Sequence, residues 1–338
     1  MACSVICSPE SLRTQDFRHG QQKRWADNTH GMLRQAMQTR LLGRTQQQVT
    51  QLGYGSMGLR GPATWGVRVV DEAAADRMLN SVLDAGISFI DTAPDYGISE
   101  ERIGRYLRHR RDEFLLATKC GCDPLQHDDH LEVRHTWTKD RIRRNLEESL
   151  RRLRTDVIDL LQFHGGDAET LQHEGLIDLL LEFRERGLIR WLGISSSLPQ
   201  LPALLQLDVF DTVQLPWSCL DPRHEPLMNQ AAEQGMGVIV RGGIAQGGPD
   251  AEIQRPLLNQ VWEQAGLDEL LSPGMSRAEL LLRCTLSQSS CHTTIVGTCN
   301  PEHLQENLRS AERGPLPADL LQEVERRINQ VLNRDAAS

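Results

Sequence analysis

Short apolar runs alternate with amphipathic helical faces from residue 41 onward, and that rhythm limits the chain to a few architectures. Ala75, Met78, Leu79, Val82 and Leu83 fall at offsets 0, 3, 4, 7 and 8, which puts them on one face of a helix. Gly86 then closes that helix and Ile87 opens a strand, completing one helix-strand unit. The spacing predicts strands at 52–55, 87–90, 114–118, 157–163, 189–194, 212–215, 236–240 and 293–296. Helices are predicted through Ile142, Leu146, Leu150 and Leu153, and at 176–183, 198–207, 225–234, 277–287 and 302–311. Eight strands, each with a following helix, favour a closed (β/α)8 TIM barrel over an open doubly wound sheet. Gly53-Tyr54-Gly55 lacks the rest of G-x-G-x-x-G, so no Rossmann fingerprint supports the open sheet.

A chain of 338 residues fits one such barrel, which places the domain at 41–335. Residues 1–40 stand apart as a flexible or loosely helical extension, crowded with Gln, Arg, His and Asn between Arg18 and Arg40. A net charge of −9 argues against nucleic-acid or anionic-membrane partners and leaves a small molecule as the expected one. No run approaches the length of a membrane span, and the first residues lack a basic n-region, so a cytoplasmic protein is expected. The eight cysteines are too scattered to form a disulfide framework, which predicts reduced thiols.

In a barrel, chemistry collects where the strands end at their C-terminal face. Asp91 closes the second predicted strand, Tyr96 lies in the loop that follows it, Lys119 ends the third strand and His164 the fourth. Singly, each has an ordinary structural reading: an N-cap, a loop aromatic, a solvated charge and a rim histidine. Three neighbouring strands, however, converge all four on one mouth. A phenol titrates near pH 10, and Lys119 is the cation that would lower the pKa of Tyr96.

These segments resemble the aldo-keto reductases from about residue 41 to the C-terminal helices. DTAPDYGISEE is similar to that family's Asp-Thr-Ala-x-x-Tyr-Gly-x-Ser-Glu signature, LLATK to its lysine strand, and DLLQFHG to its histidine strand. GLIRWLGIS, FDTVQLPWS and TIVGTCNPEHLQEN resemble its cofactor-side segments, and LLGRTQQQVTQLGYGSMGL its N-terminal hairpin and first strand. The resemblance implies a barrel with that hairpin and additional C-terminal helices, and reversible reduction of an aldehyde or ketone with NADP(H), NAD(H) being the rival cofactor. Tyr96 would be the general acid and base, Lys119 its cation, Asp91 the support for Lys119, and His164 the group that orients the carbonyl.

For the cofactor, the resemblance places Ser195, Ser196 and Gln214 at the nicotinamide amide, with Ser196 where an asparagine is usual. Arg241 stands where many relatives carry an aromatic platform, and Gly242, Gly243 and Ile244, with Gly247 and Gly248, lie in the loop expected near the pyrophosphate. Gly297 and Thr298 open the cofactor-side loop before the last barrel helix, Thr298 and His303 would approach the 2′-phosphate, and Glu306 and Asn307 would meet adenine. His303 replaces a frequent arginine.

Trp65, Trp137 and Trp217 sit on loops; if two of them line the mouth, the pocket is apolar and suits aromatic or medium-chain carbonyls. His127, Asp128, Asp129, His130 and His135 are read as a hydrated loop with no strand or helix beneath them, so no metal site is expected. Cys120 and Cys122 are read as inert or modestly reactive thiols. A metal-dependent barrel hydrolase and a cofactor-sensing regulatory protein on the same fold are the competing functions.

Overall fold

The structure is a computed structural model that describes residues 37–62, 64, 69–245 and 256–335. Eight parallel strands close into a barrel, and their spatial order around it follows their order in the chain. An antiparallel hairpin comes first, formed by β1 (Thr39–Leu41) and β2 (Gln48–Thr50). It begins two residues ahead of the expected domain start, and the extension expected at 1–40 lies outside the described residues up to 36.

β3 (Leu52–Gly55) opens the barrel, followed by α1 (Glu72–Asp84), β4 (Phe89–Asp91), α2 (Ser99–Tyr106) and β5 (Leu115–Cys120). Next come two very short strands, β6 (Leu125–Gln126) and β7 (Leu131–Glu132), which pair antiparallel. They occupy a connection expected to have no strand in it, because two-residue strands leave no periodic signal. Then follow α3 (Lys139–Leu153), β8 (Ile158–His164), α4 (Ala168–His173), α5 (Leu176–Glu185), β9 (Ile189–Ser195) and α6 (Leu201–Leu205). β10 (Thr212–Pro216), α7 (Glu225–Glu233), β11 (Gly237–Arg241), α8 (Pro256–Gln264), α9 (Arg277–Ser287), β12 (Thr293–Val296), α10 (Pro301–Glu312) and α11 (Ala318–Asp335) complete the chain.

Local signals explain why these elements start and stop. Asp71 caps α1 by accepting from the Ala74 N–H at 2.7 Å, and Gly86, at φ +83°, carries the reversal into β4. The helix buries Ala75, Met78, Leu79, Val82 and Leu83 against the barrel, the face that the spacing predicts. Two buried clusters result. Phe89, Leu115, Ala117, Leu160 and Ile239 pack with Leu42 and Val49 of the hairpin region, and a larger cluster lies between strands and helices. The hairpin therefore supplies apolar side chains to the same cluster as the strands. No described helix is long and apolar enough to cross a membrane.

Candidate active site

Strand register sets the site. β4 pairs with β5, β5 with β8 and β8 with β9, which opposes Lys119 to Gln162 and His164 to Ser195. Asp91 ends β4 almost wholly buried, and its carboxylate is saturated. Its Oδ2 accepts from Lys119 Nζ at 2.7 Å, and its Oδ1 accepts from Gln162 Nε2 and Gln214 Nε2, each at 2.8 Å. Lys119 Nζ also donates to the Thr92 carbonyl at 2.9 Å and reaches the Tyr96 hydroxyl at 3.4 Å. A buried ion pair holds its charge only when the remaining donors and acceptors are matched, and here they are.

The loop after β4 is shaped to present Tyr96. Gly97 takes φ +54°, and a Cβ there would lie 2.1 Å from the Arg60 carbonyl oxygen, so only glycine lets the loop dock on that backbone. Buried Glu100 then anchors the segment, accepting from Thr118 Oγ1 of β5 at 2.6 Å and from Arg152 Nε of α3 at 2.7 Å. The Ser99 hydroxyl donates to Ser56. The last two residues of the signature are thus an anchor for the loop that carries the phenol.

Burial pushes the Tyr96 phenol up to about 12; Lys119 opposes the rise, and the charges of Asp91 and Asp95 add to it. The cation expected to bring the phenol below its ordinary value is present, but its own counterion cancels part of its effect. Lys119 remains protonated, because Asp91 and Tyr96 outweigh the cost of burying the ammonium. Burial takes His164 down to about 3, which keeps the imidazole neutral, with Lys119 and His135 adding to the fall and Asp95 opposing it.

Around His164 the structure gathers residues that the sequence did not point to. Its Nδ1 lies 3.3 Å from Cys122 Sγ, 3.2 Å from His135 Nε2 and 3.5 Å from Asp95 Oδ2. His135 comes from the connection read as a hydrated loop with no strand beneath it, but β6 and β7 lie in that connection and His135 reaches His164. His127 pairs with Glu132 and His130 with Asp129 on the outer hairpin, whereas His135 forms an isolated bridge with Cys122 at the barrel mouth. The Gly121–Cys122 turn is held by α3: Asn145 Oδ1 accepts from the Gly121 N–H at 2.9 Å, and Arg141 Nε and Asn145 Nδ2 donate to the Cys122 carbonyl. Cys120 and Cys122 are free and fully buried, and burial raises both thiols. An acid directly before Tyr96 and a Cys-x-Cys after Lys119 were the available signals, but only the turn and the bridge bring them to His164.

Two tryptophans are corrected or refined. Trp217 is only 3 % exposed and donates to Glu225, so it is a core side chain and not a wall of the mouth. Trp137 is half-buried, stacks on His135 and donates to the His164 carbonyl at 3.0 Å; a Cβ on Gly121, at φ +87°, would strike its ring. Trp65, Gly247 and Gly248 lie outside the described residues. Of the three, Trp137 alone stands beside the site among those residues.

The ends of β9 to β12 form the other arc of the mouth. Ser195 Oγ donates to Gln214 Oε1 at 2.9 Å, so this pair expected at the nicotinamide is also tied into the Asp91 network. Ser196 is buried, yet its hydroxyl has no hydrogen bond among the described residues. Arg241 ends β11 half-buried, and desolvation lowers its pKa while Tyr96 and Asp91 oppose the fall. Gly242 takes φ +76° with no described atom near where a Cβ would stand, Thr285 Oγ1 secures the Gly243 carbonyl at 3.0 Å, and Ile244 packs against the core. Gly297 passes so close to Gly55 that a Cβ would sit 3.1 Å from the Gly55 carbonyl oxygen. Thr298 and Asn300 shape the start of α10, where His303 and Glu306 are exposed; Asn307 is buried, with no side-chain hydrogen bond among the described residues. A hydroxyl and an amide with no partner among the described residues, a glycine turn and a helix N-terminus fit a nucleotide cofactor.

Residues 51–329 match the model of the aldo/keto reductase family. The chain belongs to that family. An uncharacterized oxidoreductase of Bacillus subtilis, YqkF, is 29% identical over 294 residues, covering 81% of this chain and 91% of the relative. The holo form of the aldo-keto reductase AKR11C1 from Bacillus halodurans superposes with a TM-score of 0.74 at 30% identity, covering 86% of this chain and 96% of that one. The glycerol dehydrogenase AKR11B4 from Gluconobacter oxydans gives 0.71 at 25% identity, covering 86% and 95%. The family and its barrel are therefore as the sequence segments implied, and the protein is an oxidoreductase of a family that uses nicotinamide cofactors.

Proposed function

We propose that this aldo/keto reductase reduces an aldehyde or ketone to the alcohol, reversibly, with NADP(H), and that Tyr96 carries the proton. The observation that supports it most is the Lys119 ammonium, fixed by Asp91 at 2.7 Å and reaching the Tyr96 hydroxyl at 3.4 Å. When bound, the nicotinamide supplies or accepts the hydride. Tyr96 donates its phenolic proton to the carbonyl oxygen in reduction and recovers it in oxidation, by microscopic reversibility. Lys119 stabilises the tyrosinate that remains, Asp91 keeps Lys119 aimed, and neutral His164 orients the carbonyl by hydrogen bonding.

Ser195, Ser196 and Gln214 would hold the nicotinamide amide, Arg241 would stack under the ring, and the loop of Gly242, Gly243 and Ile244 would pass along the pyrophosphate. Thr298 and His303 would meet the 2′-phosphate, and Glu306 and Asn307 the adenine. His135, His164 and Arg241 make the mouth polar, and Trp217 is withdrawn into the core. These features, with the likeness to a glycerol dehydrogenase, favour short hydroxylated carbonyls and alcohols over aromatic substrates.

The test is a panel of short hydroxylated, aromatic and medium-chain carbonyls with NADPH and with NADH, run on the wild type and on Tyr96→Phe. Turnover of one carbonyl class with NADPH, lost in the variant, is expected. Turnover retained by Tyr96→Phe removes the proton role, and tighter binding of NADH than NADPH removes the 2′-phosphate assignment.

A further inference from the structure

Asp95, Cys122, His135 and His164 each offer one ligand atom, and all four atoms lie within 4.8 Å of one another. Carbonyl reduction as proposed above uses only His164 of this set. Four of the six separations are close to those of a coordination sphere. Zinc bonds of about 2.0–2.2 Å to nitrogen and oxygen and about 2.3 Å to sulfur give tetrahedral edges of about 3.3–3.6 Å. The nitrogens of His135 and His164 stand 3.2 Å apart, each lies 3.5–3.6 Å from Asp95 Oδ2, and Cys122 Sγ lies 3.3 Å from His164.

Burial points the same way. Asp95 is 2 % exposed and Cys122 fully enclosed, and Asp95 Oδ1 has no hydrogen-bond partner among the described residues. A buried carboxylate oxygen without a partner is costly, and His164 Nδ1 cannot satisfy a thiol, an imidazole and a carboxylate with one hydrogen or one lone pair. One cation at the centre engages Asp95 Oδ2, Cys122 Sγ, His135 Nε2 and His164 Nδ1 together. The supports are also in place: Asn145 and Arg141 fix the Cys122 backbone, and Trp137 stacks on His135 while its indole N–H holds the His164 carbonyl.

We propose that Asp95, Cys122, His135 and His164 form a site for a divalent ion of the zinc class. One thiolate, two imidazoles and one carboxylate select Zn2+ or Co2+ over Mg2+ or Ca2+, which prefer all-oxygen shells. Binding replaces the Cys122 thiol proton, which is released to solvent. Coordination through Nδ1 leaves the proton of His164 on Nε2, so the ion fixes that imidazole as a hydrogen-bond donor. The site goes beyond the reductase reading, and its test does not depend on turnover.

Co2+ titrated into the reduced, full-length protein without nicotinamide is the probe. Expected are the visible ligand-field bands of tetrahedral Co2+, a thiolate-to-cobalt charge-transfer band in the near ultraviolet, saturation at one ion per chain, and displacement by Zn2+. Cys122→Ser should remove the charge-transfer band. His135→Ala, at a partly exposed position that a fold tolerates, should weaken Co2+ binding by at least about 100-fold, more than the loss of an outer-shell partner. The double variant His127→Ala/His130→Ala, on the outer hairpin, should leave every band in place. Absence of tetrahedral bands at stoichiometric Co2+, or bands that persist in both Cys122→Ser and His135→Ala, would overturn the site.

Discussion

The Asp91–Lys119 pair and the opposite arc of the barrel mouth are built on different principles. Where β4, β5 and β8 end, the polar groups of Asp91 and Lys119 are buried and matched to one another. Where β9 to β12 end, the Ser196 hydroxyl and the Asn307 amide have no partner among the described residues, and Gly242 turns with no described atom near where a Cβ would stand. A region that moves a proton needs its charges fixed before the substrate arrives, because their stabilisation must not wait on reorganisation. A region that takes up a ligand keeps donors and backbone free for it. Ser195 and Gln214 join the arcs, since Gln214 donates to Asp91 and accepts from Ser195.

The sharpest way to break this division is Tyr96→Phe. Carbonyl reduction should fall by about 10²–10⁴-fold or more, the range for a lost general acid, while the Kd for NADPH stays within about twofold, read by quenching of cofactor fluorescence. A comparable loss of NADPH affinity would show that the phenol belongs to both arcs. With its phenol at about 12, the wild type keeps the protonated donor throughout neutral and mildly alkaline solution. The kcat for reduction should show no alkaline loss from Tyr96 up to about pH 10, because the donor form disappears only as pH passes the raised pKa. A fall centred near pH 8 would contradict that assignment.

Asp91→Asn comes next. It leaves the buried Lys119 ammonium without its counterion, and truncating one member of a buried pair costs about 3–5 kcal/mol. The urea midpoint should shift down accordingly, with reduction impaired through the misplaced lysine. Unchanged stability would mean that Lys119 gives up its charge.

Smaller effects are expected on the open arc. Ser196→Ala removes a hydroxyl that has no partner among the described residues, so stability should change by less than about 0.5 kcal/mol. The Kd for NADPH should rise about 2–10-fold, the worth of one hydrogen bond. A large loss of stability would show Ser196 to be part of the fixed network. His303→Ala, at an exposed position, should lower the preference for NADPH over NADH by only a few-fold, about what a partly screened charge contributes. An unchanged ratio in paired titrations would discard the histidine as a phosphate contact.

Much of the molecule was legible because it depends on periodicity and strand ends. Burial of Ala75, Met78, Leu79, Val82 and Leu83 followed from a 3.6-residue repeat, and the predicted strands 52–55 and 293–296 coincide with β3 and β12. Asp91, Lys119 and His164 were legible as neighbours, because each ends a strand and successive strands are adjacent in a barrel. His135 was not, since it is far in sequence from the end of any barrel strand and reaches His164 through the bridge to Cys122. Trp217 misled because a loop position after a strand does not show whether an indole turns to the mouth or to the core.

The sequence by itself determined the alternation, the barrel it closes into and the residue types at the strand ends, since these follow from local propensity and from which side chains avoid water. Tertiary structure alone decided the protonation states and partners. Tyr96 lies above its ordinary pKa because burial and the acids beside it outweigh Lys119, a balance of distances that no linear pattern encodes. The convergence of Asp95, Cys122 and His135 on His164 likewise exists only once two loops and a strand end share one small volume, because coordination and electrostatics depend on separation in space.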